Sequence, residues 1–283
     1  MKVFIDGEPV EGADASVPVN DHGLLYGDGV FEGIRAFDRR AFRLDLHLER
    51  LGHGARALHL EVPGGAAAMR EVVQKVLDAH GDGDAYLRLI VTRGAGPLGI
   101  DPTQCERPRV ICIADRIALF SDAQRRAGLS MITSSVRRPP ADVLDPRVKT
   151  LNYLNNVMAR GEARRQGADE ALMLNLQGQV AEATVANVFV VREGVLMTPP
   201  TSDGALDGIT RRAVLELAAA RGIETRVQTL GRMDIFGADE CFMTGSGAGV
   251  VRIASLDGEA LSRGEPGPIT EQLASAHQQL LRA

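Results

Sequence analysis

Lysine is scarce in this chain. Of its 32 basic residues only three are lysines, Lys2, Lys75 and Lys149, and the other 29 are arginine. Arginine therefore serves almost wherever a positive charge is wanted. A lysine kept in its place can have a chemical reason, because an amine can lose its proton and become a nucleophile whereas a guanidinium cannot. Lys2 lies at a terminus and Lys75 in a polar stretch of predicted helix, so both read as solvated. Lys149 lies between a proline-rich loop and an apolar helix. A lone lysine there is more often an ordinary helix-start residue, and its neighbours must decide.

Other shortages exclude whole classes. The formal net charge is −5, and Arg137-Arg138 and Arg211-Arg212 are pairs rather than runs, which argues against a nucleic-acid surface. The three cysteines, Cys105, Cys112 and Cys241, are odd in number and lack metal-ligand spacing, as expected of a cytoplasmic protein without metal. No apolar run approaches a membrane span, and no cationic leader with an apolar core opens the sequence. There is no repeat. What remains is the composition of a soluble globular protein, with 283 residues for one large or two medium domains.

Along the chain, residues 2–6 read as a strand turned by Asp6-Gly7. Residues 20–35 hold four glycines between aromatic residues, describing backbone that something must approach closely. Apolar residues at 44, 48, 51, 55 and 58 make a helical stripe that brings His47 and Arg50 together, and a second helix over 66–80 stops at Gly81. Ala85 to Arg93 alternates as a strand with Tyr86, Arg88 and Ile90 on one face. A strand over 108–114 closes a first unit. Polar residues 119–128 read as a linker to a second domain, which starts with a strand over 129–136.

In that second domain residues 137–147 form a loop, and a helix over 151–166 is expected to bury Leu151, Leu154, Val157 and Met158 before Gly167 ends it. Strands over 170–175, 179–183, 186–191 and 195–198 follow, with Glu182 at the end of one. The helix opened by Asp207-Gly208-Ile209-Thr210 has first-turn N–H groups without intrahelical partners, a candidate phosphate seat, although ordinary capping is the commoner use. Strands over 223–228 and 240–244 lead to the small-residue loop Thr244-Gly245-Ser246-Gly247-Ala248-Gly249. A strand over 250–254 and a helix from about 268 end the chain.

An isolated amine, a downstream carboxylate, a helix N-terminus and two small-residue loops together match the needs of pyridoxal phosphate. That cofactor requires an amine for a Schiff base, an acid against its ring nitrogen and donors around a dianion. The glycine-rich segment 20–35, Lys149 with Asn152-Tyr153, Glu182 with Asn187, Gly208-Ile209-Thr210 and the 244–248 loop occur in the order seen in class IV (fold type IV) pyridoxal-phosphate aminotransferases. The sequence Tyr-Gly-x-Gly-Val-Phe-Glu-Gly-Ile-Arg at 26–35 most resembles the branched-chain amino-acid aminotransferases, and the likeness spans nearly the whole chain.

The resemblance implies a mixed α/β fold of two domains, a smaller one over 1–118 and a larger one over 129–283 carrying the lysine, with the cofactor in the cleft between them and a homodimer as the minimal unit. By matching motif, Lys149 would carry the Schiff base and shuttle the proton, Glu182 would pair with the pyridine nitrogen, and Tyr153 would bond the ring hydroxyl. Arg50, Ile209, Thr210 and Ser246 would hold the phosphate, and Leu206 would pack on the ring. Tyr86 and Arg88, with the backbone of Gly247 and Ala248, would take the substrate carboxylate. Tyr26, Phe31 and Gly33 would line the side-chain pocket, with the neighbouring subunit's pocket as the alternative for Tyr26.

The implied reaction moves the amino group of leucine, isoleucine or valine to 2-oxoglutarate. Three positions depart from the branched-chain pattern. Gly249 replaces a usual glutamate, Arg252 a usual proline, and Ala186 a usual polar residue before Asn187. They keep the fold and cofactor and loosen the substrate. The alternatives are a D-amino-acid or (R)-amine transaminase, or an aminodeoxychorismate lyase; a non-catalytic cofactor-binding protein is disfavoured because Lys149 and Glu182 are both present.

Overall fold

The strands of the first 117 residues assemble into one antiparallel sheet. The computed structural model describes residues 1–11, 14–261 and 267–282. It divides into two units: Met1–Ile117 with Val148–Asn152, and Ala118–Arg147 with Tyr153–Ala283. The first contains β1 (Lys2–Ile5), β2 (Glu8–Val10), α1 (His22–Tyr26), β3 (Gly29–Phe37), β4 (Arg40–Ala41), α2 (Leu44–Ala57), α3 (Gly65–His80), β5 (Asp84–Thr92) and β6 (Arg109–Asp115). Its six strands run in the order β2-β1-β6-β5-β3-β4.

Alternation along β3 and β5 decides which side chains meet. Val30 and Ile34 of β3, with Leu87, Leu89 and Val91 of β5, point to the face covered by Leu48 and Leu51 of α2 and Val73, Val76 and Leu77 of α3. The opposite face carries Phe31, Gly33 and Arg35, paired across the ladder with Ile90, Arg88 and Tyr86. The short segment Val148–Asn152 joins this unit at β3: Phe31 N–H donates to Lys149 O (3.0 Å), and Leu151 N–H to Gly29 O (3.0 Å). Val30 and Thr150 form a β-bridge. Lys149 is thus held by a strand more than a hundred residues earlier in the chain.

The second unit holds α4 (Asp122–Ala127), β7 (Leu129–Thr133), α5 (Ala141–Leu144), α6 (Leu154–Arg165), β8 (Glu170–Leu174), β9 (Val180–Ala183), β10 (Asn187–Arg192) and β11 (Val195–Thr198). It continues with α7 (Ile209–Ala219), β12 (Thr225–Val227), α8 (Arg232–Phe236), β13 (Glu240–Gly245), β14 (Gly249–Leu256), β15 (Glu259–Ala260) and α9 (Pro268–Arg282). The sheet runs β12-β11-β10-β13-β14-β7-β8-β9, with β15 beside β14. Pairs β7–β8, β7–β14 and β11–β12 are parallel and the rest antiparallel. Strand β10 is apolar on both faces because both are covered. Phe189 stacks on Phe242 (5.1 Å between centroids) beneath Val214 of α7 and Leu273 of α9. Val188 and Val190 enter a separate core with Met131 and Met243.

Three expectations from the sequence are corrected here. The segment 137–147, expected as loop throughout, holds the short helix α5, begun after Pro140. Strand β7 ends at Thr133 rather than 136: Ser134 N–H still donates to Leu172 O of β8 (2.9 Å), but the Ser135 N–H goes to Glu162 of α6 (2.9 Å), which also accepts from the Ser134 hydroxyl (2.6 Å). The helix expected from 151 begins at Leu154, and its buried face is Asn156, Ala159 and Ala163. Leu154, Val157 and Met158 are 70, 62 and 53% exposed. Small alanines let the helix backbone approach Ala171 and Met173 of β8, which the larger side chains would prevent.

Candidate active site

The first unit concentrates its polar chemistry around β3. The Lys149 Nζ lies 4.4 Å from the centroid of the buried Phe31 ring, and the Arg88 guanidinium 4.5 Å from the same ring. Arg88 also lies 5.9 Å from the Tyr86 ring. A β-carbon at Gly33 would overlap the Tyr86 hydroxyl, so the glycine makes room for that side chain. Phe31, Gly33, Tyr86 and Arg88 therefore share one small area of sheet, where an apolar ring, a hydroxyl and a guanidinium stand beside an amine. Tyr26 lies apart from them on α1, half-exposed, with its hydroxyl accepting from Gly99 N–H (3.0 Å) and its ring edge-on to His22.

The other face of β3 carries a carboxylate in a position that alternation makes internal. Glu32 is fully buried between Val30 and Ile34. Arg50 Nε donates to Glu32 Oε1 (2.8 Å), and Arg50 Nη2 and His47 Nδ1 to Oε2 (2.6 and 2.7 Å). Burial alone would push the Glu32 carboxyl up, but the Arg50 charge and the hydrogen bonds from His47 and Arg50 outweigh it and hold it at about 2. Burial pushes His47 down, helped by the charges of Arg50 and Lys149 and opposed by Glu32. Arg50 is tied along one edge of its guanidinium by this carboxylate, its side chain 11% exposed.

In the second unit Glu182 lies one residue before the end of β9 and is buried. Its Oε1 lies 3.0 Å from Arg138 Nη2, and its Oε2 accepts from Leu206 N–H (3.0 Å) and, more loosely, from Asn187 Nδ2 (3.4 Å). Charged and amide donors of this kind suit an ionised carboxylate. Arg138 is fixed in turn by Asn156 Oδ1 (3.0 Å) and Gly204 O (3.2 Å). Asn187 also donates to Leu206 O (2.8 Å), so the acid and the loop before α7 are held by one amide.

Helix α7 starts at Ile209 after Gly208, with no side chain capping its first turn. A β-carbon at Gly208 would overlap Asn187 Oδ1, which accounts for the glycine. Ile209 and Thr210 are buried in that first turn, leaving backbone donors of the sort that seat an anion. Ser246, Gly247 and Ala248 form the turn between β13 and β14, where Gly245 pairs with Gly249, and Ala248 O accepts from Arg125 Nη1 (2.8 Å). Tyr153 precedes α6 at its N-cap position, half-buried.

Sequence reasoning placed His47 beside Arg50 but passed over Glu32 as the partner of both, and Arg138 as the partner of Glu182. A carboxylate in step with Val30 and Ile34 signals a buried charge needing a cation, and that signal was available. Nothing in a proline-rich loop distinguishes Arg138 from Arg137.

An amine on an apolar ring, a buried acid held by cation and amides, and an uncapped helix start are what a pyridoxal phosphate site requires. The chain belongs to the amino-transferase class IV family, whose model matches residues 29–256. It is thus a mixed α/β, fold type IV, pyridoxal-phosphate-dependent transaminase. Within that class it is 45% identical over 273 residues to a Methanocaldococcus jannaschii protein provisionally named a branched-chain-amino-acid aminotransferase, covering 96% of this chain and 94% of that one. The Escherichia coli branched-chain amino acid aminotransferase structure matches it with a TM-score of 0.94 and 33% identity, over 99% of this chain and 94% of that one. A D-alanine aminotransferase of Bacillus licheniformis is 32% identical over 98% of this chain and 96% of its own length. Similar solved branched-chain enzymes hold pyridoxal phosphate, pyridoxamine phosphate or a phosphopyridoxyl-glutamate adduct.

Proposed function

We propose that the protein transfers the amino group of a branched-chain L-amino acid to 2-oxoglutarate. The observation that carries this reading is the face of β3 and β5, where the apolar Phe31 ring lies beside the Arg88 guanidinium and the Lys149 amine. Apolar surface suits an aliphatic side chain, and a guanidinium suits a carboxylate. When bound, pyridoxal phosphate supplies the aldehyde that condenses with amines and the ring that accepts electrons.

Lys149 would hold the cofactor, and its Nζ would carry the substrate α-proton. Glu182, held by Arg138 and the amides of Asn187 and Leu206, would pair with the cofactor's ring nitrogen. Tyr153 would bond the ring hydroxyl and Leu206 would pack on the ring. Arg50, Ile209, Thr210 and Ser246 would hold the phosphate. Tyr86 and Arg88, with the N–H groups of Gly247 and Ala248, bind the substrate carboxylate, and Tyr26, Phe31 and Gly33 shape the side-chain pocket.

A homodimer is supported by the apolar stripe Leu154, Val157 and Met158 on α6, exposed among the described residues. Three free cysteines, two of them buried, support a reducing cytoplasmic setting. No helix among the described residues is long and apolar enough to cross a membrane.

A second reading, a D-amino-acid or (R)-amine transaminase, draws on Gly249 and Arg252, which leave the turn after β13 without the carboxylate usual in branched-chain enzymes; an aminodeoxychorismate lyase is the more distant alternative. The test is a donor panel on the purified holoenzyme: L-leucine, D-alanine and an aryl amine, each with 2-oxoglutarate, and aminodeoxychorismate alone. Turnover with L-leucine well above the others is expected. Preference for D-alanine or the amine, or pyruvate released from aminodeoxychorismate, overturns the assignment.

A further inference from the structure

The motif segments around Gly27 and Lys149 lie far apart in sequence and are fastened to each other. Asn152 Nδ2 donates to Gly27 O (2.9 Å), and the Asn152 backbone N–H to Thr150 Oγ1 (3.2 Å). Gly27 lies in the left-handed region (φ +69°), and a β-carbon there would come within 2.7 Å of Asn152 Oδ1. Its glycine is therefore required twice, by its own backbone and by the amide it faces. Between the two, Leu151 N–H donates to Gly29 O and Phe31 N–H to Lys149 O. The Lys149 segment lies along β3 like an added strand, ending at the Asn152 side chain.

Short pairings of this kind slip or fray from their ends unless something pins them. Two backbone hydrogen bonds and one bridge set the register of residues 149–151. Beyond Asn152 the chain leaves for the second unit. Losing the amide would free the last point at which the segment grips the β3 side, three residues from the amine.

We propose that Asn152 is a positioning residue for Lys149, its side chain clasping Gly27 so that the amine is presented at a fixed point beside Phe31. The proposal rests on the assignment of Lys149 as the residue that condenses with the cofactor. In that condensation Nζ forms a carbon–nitrogen double bond to the aldehyde carbon, and the aldehyde oxygen leaves as water. Pyridoxamine phosphate, which has an amine in place of the aldehyde, cannot form this bond. It occupies the same cradle without using the lysine, so the two cofactor forms separate the lysine's position from the integrity of the site.

The test compares affinities of cofactor-free full-length protein for pyridoxal phosphate and pyridoxamine phosphate, in the wild type and in Asn152→Ala, Gly27→Ala and Lys149→Ala variants. Susceptibility to trypsin at Arg147 and Lys149 is followed in parallel. Asn152→Ala should weaken pyridoxal phosphate about fivefold, the effect of one hydrogen bond, leave pyridoxamine phosphate within about twofold, and speed cleavage at Lys149. Gly27→Ala, which pushes the amide away, should do the same. The double variant should fall short of the product of the two, because each disrupts one clasp.

Lys149→Ala should erase the preference for pyridoxal phosphate. If it does and Asn152→Ala keeps that preference, the proposal is overturned. It is also overturned if Asn152→Ala weakens both cofactor forms equally or cannot bind pyridoxamine phosphate, since the residue is then a general structural support. If Lys149→Ala itself retains the preference, the underlying assignment of the lysine fails first.

Discussion

Two buried glutamates, one in each unit, are both held by arginine, and they are held differently. Glu32 meets Arg50 edge to edge, through Nε and Nη2, with His47 completing the cluster. Glu182 meets Arg138 through Nη2 and receives its other named bonds from a backbone N–H and a side-chain amide. The first arrangement fixes the arginine: a planar fork locked on a carboxylate can present only its remaining edge. The second fixes the acid, whose surroundings come from three separate elements, the loop before α5, the start of β10 and the loop before α7. One carboxylate serves to aim a cation and the other is itself aimed.

That distinction can be broken by substitution. The largest effect is expected at the lysine, where Lys149→Ala should reduce transamination by roughly 10⁴-fold or more; borohydride reduction of the wild-type holoenzyme should label the peptide carrying Lys149 and not those carrying Lys2 or Lys75. Glu182→Gln should leave the cofactor bound, seen in its absorbance, while slowing turnover about a hundred- to ten-thousand-fold. Turnover close to wild type would remove Glu182 from the chemistry.

Glu32→Gln should act mainly on stability. Breaking a buried ion pair costs about 3–5 kcal/mol, to be read from urea denaturation of the variant. The acid limb of the stability curve sharpens the point. Glu32 binds its proton more weakly folded, at about 2, than unfolded, near 4.5. Its contribution is therefore fully present above pH 4.5 and is lost as pH falls toward 2, roughly 3 kcal/mol in all. His47, also shifted down by burial, adds a loss of the same sign that begins as pH falls below 6.5. Stability of Glu32→Gln should accordingly fall less steeply between pH 4.5 and 2 than that of the wild type. The smallest effect is expected on α6, where Ala163→Leu should cost about 1–3 kcal/mol by overpacking against β8.

Much of this was legible in the sequence. The alternation of β3 and β5, the positions of Gly81 and Gly167 after their helices, and the isolation of Lys149 all follow from local rules, and the structure places Tyr86, Arg88, Phe31 and Gly33 on one face as the period of two requires. What was not legible depends on partners distant in sequence. Leu154, Val157 and Met158 satisfy the helical period, and so do Asn156, Ala159 and Ala163. Size favours the first set as core, but close approach to Ala171 and Met173 favours the second. Arg138 is an arginine in a loop until Glu182, 44 residues on, is folded against it.

The five residues from Val148 to Asn152 belong with the first 117 although 118–147 and 153 onward belong elsewhere. Neither half of the molecule is therefore a portable module. A gene cut after codon 117 would strand Lys149 on the other fragment, away from the strand it pairs with. Swapping halves between relatives would require the graft to include that inserted pentapeptide together with the glycine it answers to.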